Sequence, residues 1–324
     1  MLRKENRTSW HFLVSWVTIA LVAAPVGTFT VRLFTLLIDY MEGLLLGLSG
    51  TCSLPPPLWA AAGSLLTVQL IYRNAPLSAG EGIPAYIRSV REEQGRLPLK
   101  ATFSKFFAAM ITIGTFGIGG IVGPLGRVAA GILSWLSIRL HGGSATEESR
   151  TAATCGMAAV VGAVFHSSIG GGLFAVEIIQ RSSMNYRDLF PAILASSGAV
   201  FLARALGYAP FYPLPGVDVF MGPLGVPLVI AIGATGGFAG MLFNKSYELV
   251  SRRIRMNSLL GGKTGTVLIM AASVGAAWLV QPALLGTSRD MIRQLFFSPG
   301  EITLIFAPAL PLALTALVLL FLKS

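Results

Sequence analysis

Gly114-Thr-Phe-Gly-Ile-Gly-Gly-Ile-Val-Gly-Pro-Leu-Gly-Arg127 carries five glycines between Gly114 and Gly123, then Pro124, then the apolar run from Val128 to Leu133. This order predicts a glycine-rich loop that ends at the start of a helix. Proline suits the first helical turn, where its missing N–H costs nothing. Glycine allows close backbone approach and leaves N–H groups free to point outward. Such groups at a helix N-terminus attract anions. At membrane depth, irregular backbone persists only where it lines a cavity or is buried in protein. A packing seam between membrane helices has the same glycine-rich composition. By itself the stretch therefore fits two readings, an ion site and a seam.

Composition places it in a membrane. The 324 residues are 54% hydrophobic and only 12% charged, and the mean hydropathy is +0.72. Soluble domains carry about 25% charged residues. The expectation is an all-α polytopic membrane protein, a single transmembrane domain over 1–324. The net charge of +10 comes without a basic-aromatic pattern, so it marks cytoplasmic loops rather than nucleic-acid binding. Cys52 and Cys155 lie far apart and match no metal or redox spacing. The first apolar run begins near Phe12, follows Arg3, Lys4 and Arg7, and lacks a convincing cleavage site, which predicts a first membrane helix rather than a signal peptide.

Apolar segments fall near 12–38, 57–72, 101–118, 124–140, 151–164, 168–180, 189–206, 222–250, 264–284 and 301–322. Several are shorter than the roughly 20 residues a simple span needs. Short, broken segments are the mark of half-helices in channels and secondary transporters. Basic residues cluster at Arg3/Lys4/Arg7, at Arg88/Arg91/Arg96/Lys100/Lys105 and at Lys245/Arg252/Arg253/Arg255/Lys263. An even number of apolar segments separates each cluster from the next, so all three fit one side. The positive-inside rule makes that side, and the N-terminus, cytoplasmic. The expected location is a bacterial-type inner (plasma) membrane.

Two further landmarks flank the opening stretch: Gly80-Glu81-Gly82-Ile83-Pro84, and Gly162-Ala-Val-Phe-His-Ser-Ser-Ile-Gly-Gly-Gly-Leu-Phe-Ala-Val-Glu177. Each is weak alone; their order and spacing are specific. Together they resemble the CLC family of chloride channels and chloride/proton antiporters. Gly80 to Pro84 is similar to the family's G-S-G-I-P motif. Gly120-Ile121-Val122-Gly123-Pro124 is similar to G-R-E-G-P, and Val164 to Glu177 resembles its A-F-N-A-P-L-A-G-x-L-F-x-x-E helix pair.

The resemblance implies a homodimer whose subunits each hold a pore for chloride or another small anion. It implies two inverted repeats of tilted and broken helices, here about 1–240 and a partial second repeat over about 241–324. Half-helix N-termini would hold the anion, with Gly80, Glu81, Gly82, Ile83, Pro84, Gly120, Ile121, Val122, Gly123 and Pro124 as the pore set. Val122 stands where the family has a gating glutamate that blocks the outer site and carries protons. Valine has no titratable group, so the implied activity is passive and proton-uncoupled. Glu81 replaces a serine that donates to the central anion. An ionised carboxylate there would repel chloride, so Glu81 is neutral, pairs with a base such as Arg88, or marks a degenerate site. The family's second-repeat G-x-F-x-P loop is not found before Ser324, which implies an incomplete second repeat. Two alternatives follow from these departures: a non-conducting truncated relative or assembly partner, and a transporter of another solute with Glu81 as its proton site.

Among other residues, His166 is read as a polar cap at a helix start, with a pore contact as the sharper reading. Ser167 and Ser168 are expected N-caps, and Glu177 a partner for Arg181 at i+4. Gly261-Gly262-Lys263-Thr264 mimics the end of a phosphate loop, but Asn257 stands where its first glycine is required. No catalytic or metal-ligand constellation appears, so no enzyme, metal or cofactor is expected. Besides the anion and its second copy, the partner expected is membrane lipid.

Overall fold

The computed structural model describes residues 2–52, 54–80, 82–140, 142–179, 187–211, 225–256, 263–280, 282–289 and 291–293. Among them there are ten α-helices and no strand. They are α1 (Leu2–Cys52), α2 (Pro56–Asn74), α3 (Ile83–Glu92), α4 (Leu99–Gly114), α5 (Val122–Leu140), α6 (Glu147–Phe165), α7 (Ser168–Glu177), α8 (Leu189–Ala205), α9 (Gly225–Met256) and α10 (Lys263–Val280). Short 3₁₀ turns cover Pro76–Ser78 and Pro282–Leu284. Each apolar segment expected as far as 284 coincides with one helix. The last, 301–322, lies outside the described residues. Helix α3 had no apolar segment of its own, because its ten residues include Arg88 and Arg91.

Helix α6 is the axis of the bundle. Every residue from Thr151 to Val164 is buried, packed by α1, α5, α7 and α8. In lipid, helices gain little from hiding apolar surface from one another. Association depends on close packing, which small residues permit. Helix α6 supplies Ala152, Ala153, Gly156, Ala158, Ala159, Gly162 and Ala163. A Cβ on Gly156 would lie 2.7 Å from the Ala129 carbonyl carbon and from the Ala130 nitrogen of α5. One on Gly27 of α1 would lie 2.5 Å from the Ala159 Cβ. Helix α1 runs through Pro25 without a break, at the cost of one backbone hydrogen bond, which membrane helices tolerate.

The outer surface is apolar. Leu21, Leu140, Phe201 and Leu279 are each more than two-thirds exposed. Helix α9 is apolar from Gly225 to Leu249 with none of that window buried. Helix α10 packs on α2, where Val274 joins Leu45, Ala60 and Phe116 in a small cluster.

The seam between α5 and α6 yields a stability test. Gly156→Ala places a methyl on backbone that cannot swing away, an overpacking cost of about 1–3 kcal/mol. It is expected to lower the thermal midpoint in detergent by several degrees. Gly233→Ala on α9, where a Cβ meets nothing within 4 Å, is expected to leave it unchanged or raise it. Size-exclusion recovery after a heating series measures both.

Candidate functional site

The stretch from Gly114 to Arg127 divides into an open loop and a packed seam. Helix α4 ends at Gly114, coil runs over 117–120, Ile121 bends, and α5 starts at Val122 with Pro124 in its first turn. Gly123, Gly126 and Gly131 are buried seam residues: a Cβ on Gly126 would strike the Met157 sulfur at 2.2 Å, and one on Gly131 the Thr102 hydroxyl at 2.2 Å. Gly120 is different. It is exposed, and a Cβ there would meet nothing within 4 Å. The loop is therefore open to its surroundings at Gly120, and packed from Ile121 onward.

The loop is latched from far along the chain. The Gly119 N–H donates to the Gly286 carbonyl at 3.2 Å, and the Gly286 N–H donates to the Phe116 carbonyl at 3.4 Å. Phe116 takes φ 65° to make this turn. The same segment is tied to α1 by Arg289, 3.3 Å from Asp39.

The first landmark meets the second directly. Gly82 is the N-cap of α3, with φ 107°. A Cβ on it would lie 2.6 Å from the Gly123 carbonyl oxygen and 3.2 Å from the Pro124 nitrogen. Both the dihedral and the contact require glycine. The starts of α3 and α5 thus abut through backbone alone. The first N–H groups of each helix lack an intrahelical acceptor by position, and their dipoles bring partial positive charge to the same junction.

Of the expected pore set, Gly82, Ile83, Ile121, Val122, Gly123 and Pro124 lie at or beside this junction. Gly80 and Pro84 are exposed. Glu81 lies outside the described residues; Arg88 lies 3.7 Å from Glu93. Ile121 is fully buried. Val122 is half-buried and packs against both main apolar clusters. At position 122 the chain thus has an apolar contact and no acid.

His166 does not cap a helix start. It closes α6 in the left-handed region, φ 51° and ψ 35°, a conformation in which histidine is several-fold enriched. The α6–α7 turn needs one such residue, and this places His166 at that turn rather than between Gly82 and Gly123. Its Nε2 is buried with no hydrogen-bond partner among the described residues. Ser167 takes the N-cap position of α7, but its side chain makes no capping bond. Its carbonyl accepts from the Ser196 hydroxyl at 3.0 Å. Ser168 is already the first helical residue. Gly171 and Gly172 are seam residues: a Cβ on Gly172 would lie 2.6 Å from the Ile193 nitrogen. Glu177 is exposed, and Arg181 lies outside the described residues.

Two cations were missed by the sequence reading. Lys105, counted there with a basic loop, is inside α4 and 7% exposed; its Nζ donates to the Gly80 carbonyl. Arg127, the last residue of the opening stretch, is 2% exposed and donates through Nη2 to the Leu77 carbonyl. The available signal was a charge inside an apolar helix, which marks a functional position by default. The segment from Leu77 to Gly82 is pinned at three points, by Arg127, Lys105 and Gly123.

Comparisons with known proteins agree with this architecture. A family profile described as voltage gated chloride channel matches residues 63–323. The chain is 28% identical over 246 residues to the Arabidopsis thaliana chloride channel protein CLC-c, covering 64% of this chain and 31% of that protein. It is 24% identical over 284 residues to a chloride/fluoride channel protein of Pseudomonas syringae pv. tomato, covering 83% of this chain and 59% of that one. The matched regions thus span between about a third and three-fifths of these relatives. In fold it is similar to the crystal structure of a CLC-type fluoride/proton antiporter, with a TM-score of 0.72 and 20% identity, over 89% of this chain and 70% of that one.

The junction makes its own prediction. Gly80 (φ 84°) and Gly82 (φ 107°) both carry a left-handed penalty for any side chain, but only Gly82 adds a backbone collision. Gly82→Ala is expected to lower the melting temperature clearly more than Gly80→Ala. Equal shifts measured in the same detergent would show that the α3–α5 contact is looser than drawn.

Proposed function

The chain belongs to the voltage-gated chloride channel family, and from that premise we propose that it is a passive, proton-uncoupled channel for chloride or another halide-sized anion. Members of this family are integral membrane channels and transporters. The observation that carries the passive part is Val122. A proton carrier at that position needs a group that gains and loses a proton, and an isopropyl side chain has none. Half-buried against both apolar clusters, it offers neither a competing carboxylate nor a proton relay. The anion would replace lost water with N–H groups of Gly82, Ile83, Val122 and Gly123, backed by the two helix dipoles.

The reading includes a homodimer with one pore per subunit, a first repeat to about residue 240, and an inner membrane with the N-terminus on the cytoplasmic side. Chloride is the first anion to test. Fluoride is the second, because two of the similar proteins are named for it.

Proteoliposomes loaded with chloride and a pH probe test the proposal. Chloride efflux under a valinomycin-clamped potassium gradient is expected without proton movement. Proton uptake in fixed ratio to chloride would overturn the passive reading, and no anion flux at all would favour a non-conducting membrane partner.

Val122→Glu should restore a titratable gate. A charged carboxylate competes with the anion and a neutral one does not, so flux in this variant is expected to be low at neutral pH and to rise as pH falls. The parent should show no such rise. Glu81→Ser is expected to keep or raise anion flux; its abolition would point to another solute carried with Glu81 as the proton site.

A further inference from the structure

Arg127 is a cation without a visible counter-charge. Arg88, Arg150, Arg187, Arg252 and Arg289 each lie within 3.7 Å of a carboxylate. Arg127 has only the Leu77 carbonyl, and its Nε and Nη1 are buried with no hydrogen-bond partner among the described residues. A buried guanidinium with idle donors is among the costlier arrangements a protein can hold. In a membrane interior that cost points to a missing acceptor.

The position of the side chain narrows what the acceptor is. Arg127 is the sixth residue of α5, on the helix whose Gly123 carries Gly82. Its guanidinium reaches from α5 to Leu77, while five residues on the same strand of backbone returns to α5 at Gly82. The two contacts close a ring: Leu77 to Gly82 on one side, Gly123 to Arg127 on the other. Lys105 adds a second buried cation at Gly80. The ring thus carries two cations and the N-terminal ends of two helices.

We propose that Arg127 is an anion-coordinating residue, a side-chain subsite in the ring between α3 and α5 whose Nε and Nη1 donors hold the conducted anion. The identity of the ligand rests on the anion-channel reading. The subsite supplements backbone N–H groups with charge-assisted bonds, which are shorter and stronger than neutral ones. It also gives the ring a positive bias that tolerates an acid nearby. Glu81 is the one acid in the sequence between Pro76 and Val90, and it is the other group that could serve as the counter-charge.

The test is a chloride titration of thermal stability on the purified full chain in detergent, exchanging gluconate for chloride at constant ionic strength, alongside flux in proteoliposomes. Arg127→Gln keeps a donor for Leu77 and removes the charge. It should stay monodisperse, need at least about tenfold more chloride for half-maximal stabilisation, and conduct less. Arg127→Lys should fall between it and the parent. A Gln variant with the parent's titration would overturn the subsite, leaving Arg127 as a brace for the loop. Restored chloride affinity in Arg127→Gln/Glu81→Gln would also overturn it, by assigning the guanidinium to Glu81. If the Gln variant does not fold, the Lys variant decides: it loses the planar fork, so an unchanged titration would overturn the proposal. Binding is read without flux. A parent that binds chloride but does not conduct it sinks the channel reading and leaves the subsite standing, whereas a parent that conducts with an Arg127-independent titration does the reverse.

Discussion

The closest approach of α5 to α6 is the constraint on which the rest of the bundle depends. At Gly156 the two backbones touch with no side chain between them. A bilayer gives helices no solvent to escape from, so contact of this kind must supply the cohesion that a soluble core takes from water. Because the contact is rigid, it fixes where α5 begins. The start of α5 fixes the seat for Gly82, and Gly82 fixes α3. The geometry of the candidate site therefore descends from a packing interaction about two turns further along the same helix. Open loop and packing seam are successive parts of one stretch, changing from one to the other between Gly120 and Gly123.

Much of this was legible in the sequence. Hydropathy located nine of the helices that the structure describes, since each apolar run had to become a helix once the membrane was inferred. The glycine landmarks gave the family, while the seating of Gly82 on Gly123 came from the fold. What the sequence hid was hidden for physical reasons. Helix α3 is short and mixed in polarity, so its burial at Tyr86 and Val90 arises from neighbours that only the fold supplies. Lys105 and Arg127 look like any other basic residues until burial shows that water does not reach them. His166 could be read as a start signal because a polar residue between two helices serves either end; only its left-handed backbone shows that it closes α6.

The two sides of the junction have opposite character. On one side, Val122 has an inert side chain where the resemblance places an acid, and it joins the two apolar clusters. On the other, Arg127 and Lys105 reach out of their helices to donate to loop carbonyls.

The two bonds that join Gly286 to Gly119 and Phe116 impose an order on biogenesis. Helices α1 to α8 and the first two landmarks leave the ribosome long before Gly286. At roughly 5–20 residues per second, the glycine-rich loop waits on the order of ten seconds for its latch. During that interval the bundle around α6 has every element it needs, while the open loop does not. Assembly of the scaffold and completion of the site are thus separate events in the life of a nascent chain, and a lesion near Gly286 would act on the second while sparing the first.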